Sequence, residues 1–274
     1  MNHINKIAGI HKNQPIWIAG SGPSLDTYPD DFFDDKIGIT LHMAFLKFPN
    51  TTYMYANEPD RVEYLKNNHD NYRNVKHIYW YPFYGISKRE SREIDHDIPN
   101  VFFFRLHPYP PYGIRGIVDW DFTRKKVRQA IAGTAHVFGG HGTCLHGALY
   151  CAIMLGGNPI NLIGAGHGMY SGGEHFGGIL DIDKEMRPTA PSFSDPNNNV
   201  PMIEQTMAII EACRREGIKV NWIKEYSESG DYDTYELSMD DLHELEKRYN
   251  RVFPSYRRAK NFIKKIYKPI LNYW

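Results

Sequence analysis

Seven short runs rich in apolar, β-branched or aromatic residues recur along this 274-residue chain, at 16–19, 37–41, 52–56, 76–80, 101–106, 160–163 and 219–223. Their lengths suit strands buried on both faces. Between them, 59–68, 143–155 and 201–216 carry the lengths and apolar spacings of helices. Strands alternating with helices predict an α/β fold, a mainly parallel sheet with helices on both faces. With 42% hydrophobic residues, the chain can bury a sizeable core as one large domain or one domain plus an appendage. In such sheets ligands sit beyond the carboxyl ends of the strands, so the residues after each run are the ones to read for chemistry.

The first run feeds directly into Gly20-Ser21-Gly22-Pro23-Ser24. This reads as a strand ending in a tight loop that opens a helix. The glycines permit positive φ and close approach of a ligand to the backbone. Pro23 suits a first helical position, where its missing N–H would have no partner. Free N–H groups at such a helix start attract phosphate or another anion. The same residues equally describe an ordinary strand-to-helix turn, because neither the dinucleotide fingerprint nor the P-loop lysine is present.

Thirty-two basic and 32 acidic residues balance to zero net charge, which gives no overall pull toward nucleic acid. The balance hides an asymmetry. After Glu246 there is no further acid, while nine lysines and arginines follow. Within 254–274, Ile263, Ile266, Tyr267 and Ile270 fall along one helical side flanked by lysines, with Pro269 set to bend or end the helix. A basic amphipathic segment of this kind can lie on an anionic membrane surface, or pack on the acidic body. Three cysteines without a disulfide pattern suit a reducing compartment. The first residues lack a signal-peptide core, and no apolar run reaches the roughly 20 residues that span a bilayer. These features predict a cytoplasmic protein held peripherally on the inner face of the membrane, with domain 1–235 and basic helical tail 236–274.

Several residues after the runs offer chemistry. His42 and Asn57 follow the second and third runs, where they could read a base or ribose or simply cap a turn. Residues 164–178 include seven glycines, too many for a regular element. They read as the start of a mobile lid over about 164–200. In it His167 or His175 can serve as a general base and Tyr170 can stabilise a departing phosphate. Asp195 and Glu174 are the acids in reach of the same role. His136, His141, Cys144 and His146 cluster in sequence, but their spacings match no common zinc site, so no metal is expected. The aromatic loops 79–84 and 107–112 can stack a base or sugar, or fill packing sites.

The segment Ile18-Ala19-Gly20-Ser21-Gly22-Pro23-Ser24-Leu25 resembles the first-strand motif of the bacterial sialyltransferases of glycosyltransferase family 42. It also resembles the related group of flagellin-modifying motility accessory factors and 6-hydroxymethylpterin pyrophosphokinase-like proteins. Thr40-Leu41-His42-Met43-Ala44-Phe45 stands where those transferases carry a nucleotide-contacting Asn, replaced here by His42. Tyr55-Ala56-Asn57-Glu58-Pro59 matches their second Asn at Asn57. Gly142-Thr143-Cys144 and Leu155-Gly156-Gly157-Asn158-Pro159-Ile160-Asn161-Leu162-Ile163-Gly164 form the other shared block, with Cys144 in place of a Ser. The resemblance spans roughly 15–225. It departs at Gly166, where the family carries an Asp, at Tyr170, displaced by two positions, and in the absence of any His between His175 and His243.

The resemblance implies a Rossmann-like fold and an inverting, metal-independent glycosyltransferase using no cofactor. Its donor would be a CMP-activated sugar, sialic acid or a relative, and its acceptor a glycan or lipid-linked glycan. Gly20, Ser21, Gly22, Pro23, Ser24, His42, Asn57, Thr143, Cys144 and Gly164 would bind the nucleotide. The transferases' general-base His has no counterpart here, so the catalytic residues are read from the glycine-rich loop as His175, Tyr170 and His167, with a His near position 175 shared by the accessory-factor-like group. Two other readings remain open: ATP-dependent diphosphate transfer to a pterin-type alcohol, which needs carboxylate-held magnesium, and a non-catalytic nucleotide- or glycan-binding module. No nucleic-acid partner is expected, and self-association into a homo-oligomer is left open.

Overall fold

The computed structural model describes residues 2–56, 59–81, 100–108, 118, 120–135, 137–140, 143–166, 196–236, 238 and 240. Nine strands form one sheet: β1 (Asn2–His3), β2 (Ile16–Ala19), β3 (Ile37–Leu41), β4 (Tyr53–Ala56), β5 (Lys76–Tyr81), β6 (Val101–Pro108), β7 (Val137–Gly140), β8 (Ile160–Ile163) and β9 (Val220–Trp222). The order is β1-β6-β5-β4-β3-β2-β8-β9, and β7 shares with β1 the same edge of β6. β1 pairs with Phe102 and Phe103, and β7 takes over from Arg105 to Pro108. Every pairing in the sheet is parallel, which makes this the α/β, Rossmann-like architecture that the alternating runs predict.

Two cores sandwich the sheet, and the period of two along each strand assigns side chains to them. Ile16 and Ile18 face one core with Ile39, Leu41, Tyr53 and Tyr55, under α2 (Trp120–Ile131), α3 (Cys144–Leu155) and α4 (Pro196–Arg215). Trp17 and Ala19 face the other with Met54 and Ala56. That second face is covered by α1 (Pro59–Asn68) and by 3-10 turns at Pro23–Thr27, His42–Leu46 and Asp70–Asn74. Rings fill the space that regular helices would otherwise take: Phe32 lies 5.0 Å from both Trp17 and Tyr28, in edge-on geometry.

Residues 145–155 of α3 are all buried, so it is the central helix of its layer. Thr143 caps its start by accepting the Leu145 N–H at 3.3 Å. Gly156, at φ +92, ends it. The amino-terminal segment then closes off carbonyls that would be open at that end. Gly9, His11 and Asn13 donate their N–H groups to the carbonyls of Met154, Leu155 and Gly156.

The helix expected at 201–216 begins earlier, at Pro196, and runs through Pro201. Either proline can occupy a helix's first turn, which hid the true start. Helix α2 and strands β1 and β7 are elements that the apolar runs do not reveal. In α2 the buried positions are Thr123, Lys126, Val127 and Ala130, at helical spacing but half polar, so its periodicity is faint in hydropathy.

His77 shows how completely the sheet is buried. It is the second residue of β5, fully enclosed, and its Nε2–H donates to the Tyr72 carbonyl at 2.8 Å. Burial pushes its pKa down from 6.5 to about 4, against the opposing effect of that hydrogen bond. The folded state therefore keeps His77 neutral, while the unfolded chain takes up a proton below about 6.5. Stability from this residue is fully present above that value and is lost as pH falls toward 4, a change of about 3 kcal/mol. We expect denaturation midpoints of the wild-type chain to fall more steeply between pH 6.5 and 4 than those of His77→Gln, which keeps a donor for Tyr72 without the titrating ring. Parallel curves would show that His77 does not contribute.

Candidate functional site

The strand order reverses at β2, with β3 on one side and β8 on the other. Ala19 is in register with both Thr40 and Ile163, so the three strands end level and open a crevice at their carboxyl rim. The turn of Gly20, Ser21, Gly22, Pro23 and Ser24 and the turn at Gly164 face each other there.

Their contact is backbone against backbone. Gly20 N–H donates to the Ile163 carbonyl and Gly22 N–H to the Gly164 carbonyl, each at 2.8 Å. A Cβ on Gly22 would lie 2.7 Å from the Gly164 oxygen, and one on Gly20 would press into the same atom. Gly20 and Gly22 do not use the positive φ that their residue type permits. Gly22 has φ −70, and only Gly164, at +59, takes the left-handed conformation at this contact. The glycines are there for close approach, and the approaching group is this protein's own backbone. The helix expected to open here is a short 3-10 helix at Pro23–Thr27, with Pro23 in its first turn and Leu25 as the buried anchor. Ser21 and Ser24 are half-buried in the turn.

Beside this turn, β3 ends at Leu41 and His42 opens the 3-10 turn His42–Leu46 at φ +44. That conformation is uncommon outside glycine but is tolerated by His and Asn. It holds the buried ring so that Nε2 is in hydrogen-bond contact with Cys144 Sγ at the first residue of α3. Tyr55, from the end of β4, lies behind the pair. Its ring packs on Gly147, where any side chain would strike the phenol oxygen. Burial raises its pKa well above 10, and the Cys144 and Cys151 thiols add to the shift. Thus His42, Thr143 and Cys144, a hundred residues apart in sequence, meet at one rim.

The structure also brings in residues that the sequence reading passed over. After β9 the chain folds back through an antiparallel bridge between Ile223 and Thr234. Trp222 Nε1 donates to the Ala165 carbonyl at 3.1 Å, and the Tyr235 N–H donates to the Trp222 carbonyl at 2.7 Å. The Tyr235 oxygen stands 3.2 Å from where a Cβ on Gly166 would lie. The signal for this return was the Ser229-Gly230 turn followed by Tyr232 and Tyr235. It is short and lacks a long apolar run.

His146 leaves the group with which it clusters in sequence. It is buried against α4, where Nε2 shares hydrogen bonds with the Met202 carbonyl and the Thr206 hydroxyl, each at 3.1 Å. Among the described residues no group of three or more metal-ligating side chains converges. Asn57, His136, His141, His167, Tyr170, Glu174, His175 and Asp195 lie outside the described residues, as do 82–84 and 109–112 of the aromatic loops and 241–274 of the tail. Of the expected lid, 196–200 belong to α4, and 167–195 lie outside the described residues. No helix among the described residues is long and apolar enough to cross a membrane.

Compared with known proteins, the chain matches no family model, no curated protein and no solved structure.

The glycine contact makes a direct prediction. Because a methyl at residue 20 meets backbone and not a movable side chain, Gly20→Ala is expected to lower unfolding free energy by about 1–3 kcal/mol. Urea denaturation monitored by circular dichroism measures it, and an unchanged midpoint would mean the two turns separate easily.

Proposed function

We propose that this chain is a nucleotide-sugar transferase that binds a CMP-activated sugar at the carboxyl rim between β2 and β8. The observation that carries the reading is the convergence of the 20–24 turn, Gly164, His42 and the amino end of α3 on one rim at the strand-order reversal. In parallel sheets this is the place where nucleotides bind. The hydrogen bonds to Ile163 at the end of β8 and to Gly164 after it fix the position of the 20–24 turn, a rigid support from which Ser21 and Ser24 would offer hydroxyls. The first-turn N–H groups of α3, lacking acceptors within the helix, supply positive potential for a phosphate. His42 and Asn57 would contact the ribose and base.

In the reaction an acceptor hydroxyl oxygen attacks the anomeric carbon of the sugar from the face opposite the nucleotide. The new C–O bond forms as the bond to the phosphate oxygen breaks, and CMP departs with inverted configuration at the sugar. His175 would take the hydroxyl proton, with His167 as its rival for that role. Tyr170 would donate to the departing phosphate. The acceptor is a glycan, lipid-linked in the reading where residues 254–274 hold the protein on an anionic membrane.

Nucleotide binding is tested by thermal unfolding. CMP or CDP at a hundred times its dissociation constant is expected to stabilise the fold by about 2.7 kcal/mol. A shift with ATP and magnesium but none with cytidine nucleotides would favour diphosphate transfer and sink the donor assignment. Chemistry is tested separately: His175→Ala is expected to lower turnover by about two to four orders of magnitude while the CMP-induced shift is retained. Loss of activity in His167→Ala alone would move the base to His167.

A further inference from the structure

Cys144 occupies the first position of α3, half-buried at the rim, with its sulfur against His42 Nε2. Three features converge on that sulfur. The imidazole offers a proton acceptor held in place by a buried side chain, only 3% exposed, on a left-handed backbone. The helix start adds partial positive charge from the α3 N–H groups, which favours a thiolate over a thiol. Tyr55 stands behind, protonated throughout the ordinary pH range because its site is fully enclosed, so it brings no competing negative charge. His42 from the turn after β3 and Tyr55 from β4 are titratable groups that face Cys144, with Cys151 two turns along α3. The other two cysteines have the opposite surroundings. Cys151 and Cys213 are buried among apolar side chains of α3 and α4, and burial pushes both thiols up.

We propose that Cys144 and His42 form a thiolate–imidazolium dyad, which makes Cys144 a nucleophilic thiol and a modification site for peroxides and other soft electrophiles. The proposal goes beyond the transferase reading and stands without it. With a peroxide, the thiolate sulfur attacks one oxygen, an S–O bond forms and the O–O bond breaks. The departing hydroxide takes the imidazolium proton and leaves as water. Sulfur is oxidised by two electrons to a sulfenic acid, the peroxide is reduced by two, and His42 ends neutral.

The test is the pH dependence of alkylation of the full chain by iodoacetamide, read at each cysteine by peptide mass spectrometry. Cys144 is expected to react first, with a midpoint below about 7.5. At pH 6 its rate should be on the order of tenfold above that of glutathione, because the gain in thiolate fraction exceeds the loss in intrinsic nucleophilicity. His42→Asn, a residue suited to the same backbone, should move the midpoint to about 8.5 and remove that advantage. Hydrogen peroxide followed by dimedone should give a single adduct, at Cys144, that is absent from Cys144→Ser. A wild-type midpoint at or above about 8.5 overturns the dyad whether or not His42→Asn folds. So does an unaltered profile in a folded His42→Asn variant, or labelling of Cys151 or Cys213 ahead of Cys144. Rapid alkylation without a dimedone adduct overturns the assignment of peroxide as a reactant.

Discussion

The structure is arranged around the burial of α3 on the sheet. Its residues from Leu145 to Leu155 are enclosed on every side, by β2, β3, β4 and β8 beneath and by α2 and α4 beside it. A helix so placed has little water along its length, and the protein supplies partners at its ends. Thr143 takes one N–H, that of Leu145, at the half-buried start, and the backbone of residues 9–13 closes the other end. Gly147 lets the helix approach close enough for the Tyr55 ring to lie against it. The same placement sets the site, because a helix antiparallel to the strands must begin where the strands end.

Strands of a parallel sheet buried on both faces are legible as short apolar runs, and seven were read close to their observed bounds. The runs at 16–19, 37–41 and 160–163 coincide with β2, β3 and β8, whose residues are buried throughout except the half-buried Ile37. Legibility fails where buried positions are polar or the element is very short. Helix α2 inserts Thr123 and Lys126 into its inner face, where the Thr123 hydroxyl accepts from Gln205 of α4 at 3.1 Å. Lys126 covers the Phe122 ring, and burial pushes its pKa down to about 8. Such residues look like surface in a hydropathy pattern and like interface only once α4 is in place.

The glycine-rich turn illustrates a different limit. Gly20 and Gly22 mark a close approach, which the residue type announces correctly, but nothing in the run of residues says what approaches. Ligand phosphate and the Gly164 carbonyl make the same demand for a missing Cβ. Here the Gly22 N–H is already bonded to that carbonyl, so an anion at the rim would have to rely on other donors, those of α3 foremost. The turn's contribution is then positional, holding Ser21 and Ser24 level with the ends of the neighbouring strands.

Histidine and cysteine at 42 and 144 belong to the same argument. The resemblance places both at one nucleotide site, but their direct contact was not legible in the sequence, because no spacing rule links positions a hundred residues apart. The parallel topology joins them: β3 delivers His42 to the rim and α3 starts there with Cys144. The left-handed turn at residue 42 then aims the imidazole across the crevice at the sulfur and not along the strand. A side chain on Gly166 would enter this rim beside the Tyr235 oxygen, whereas glycine leaves that position open. The rim therefore combines a rigid backbone contact on one flank with a titratable pair on the other. That division is what any ligand entering this rim would meet: fixed geometry from the glycines on one flank, and the His42–Cys144 contact on the other.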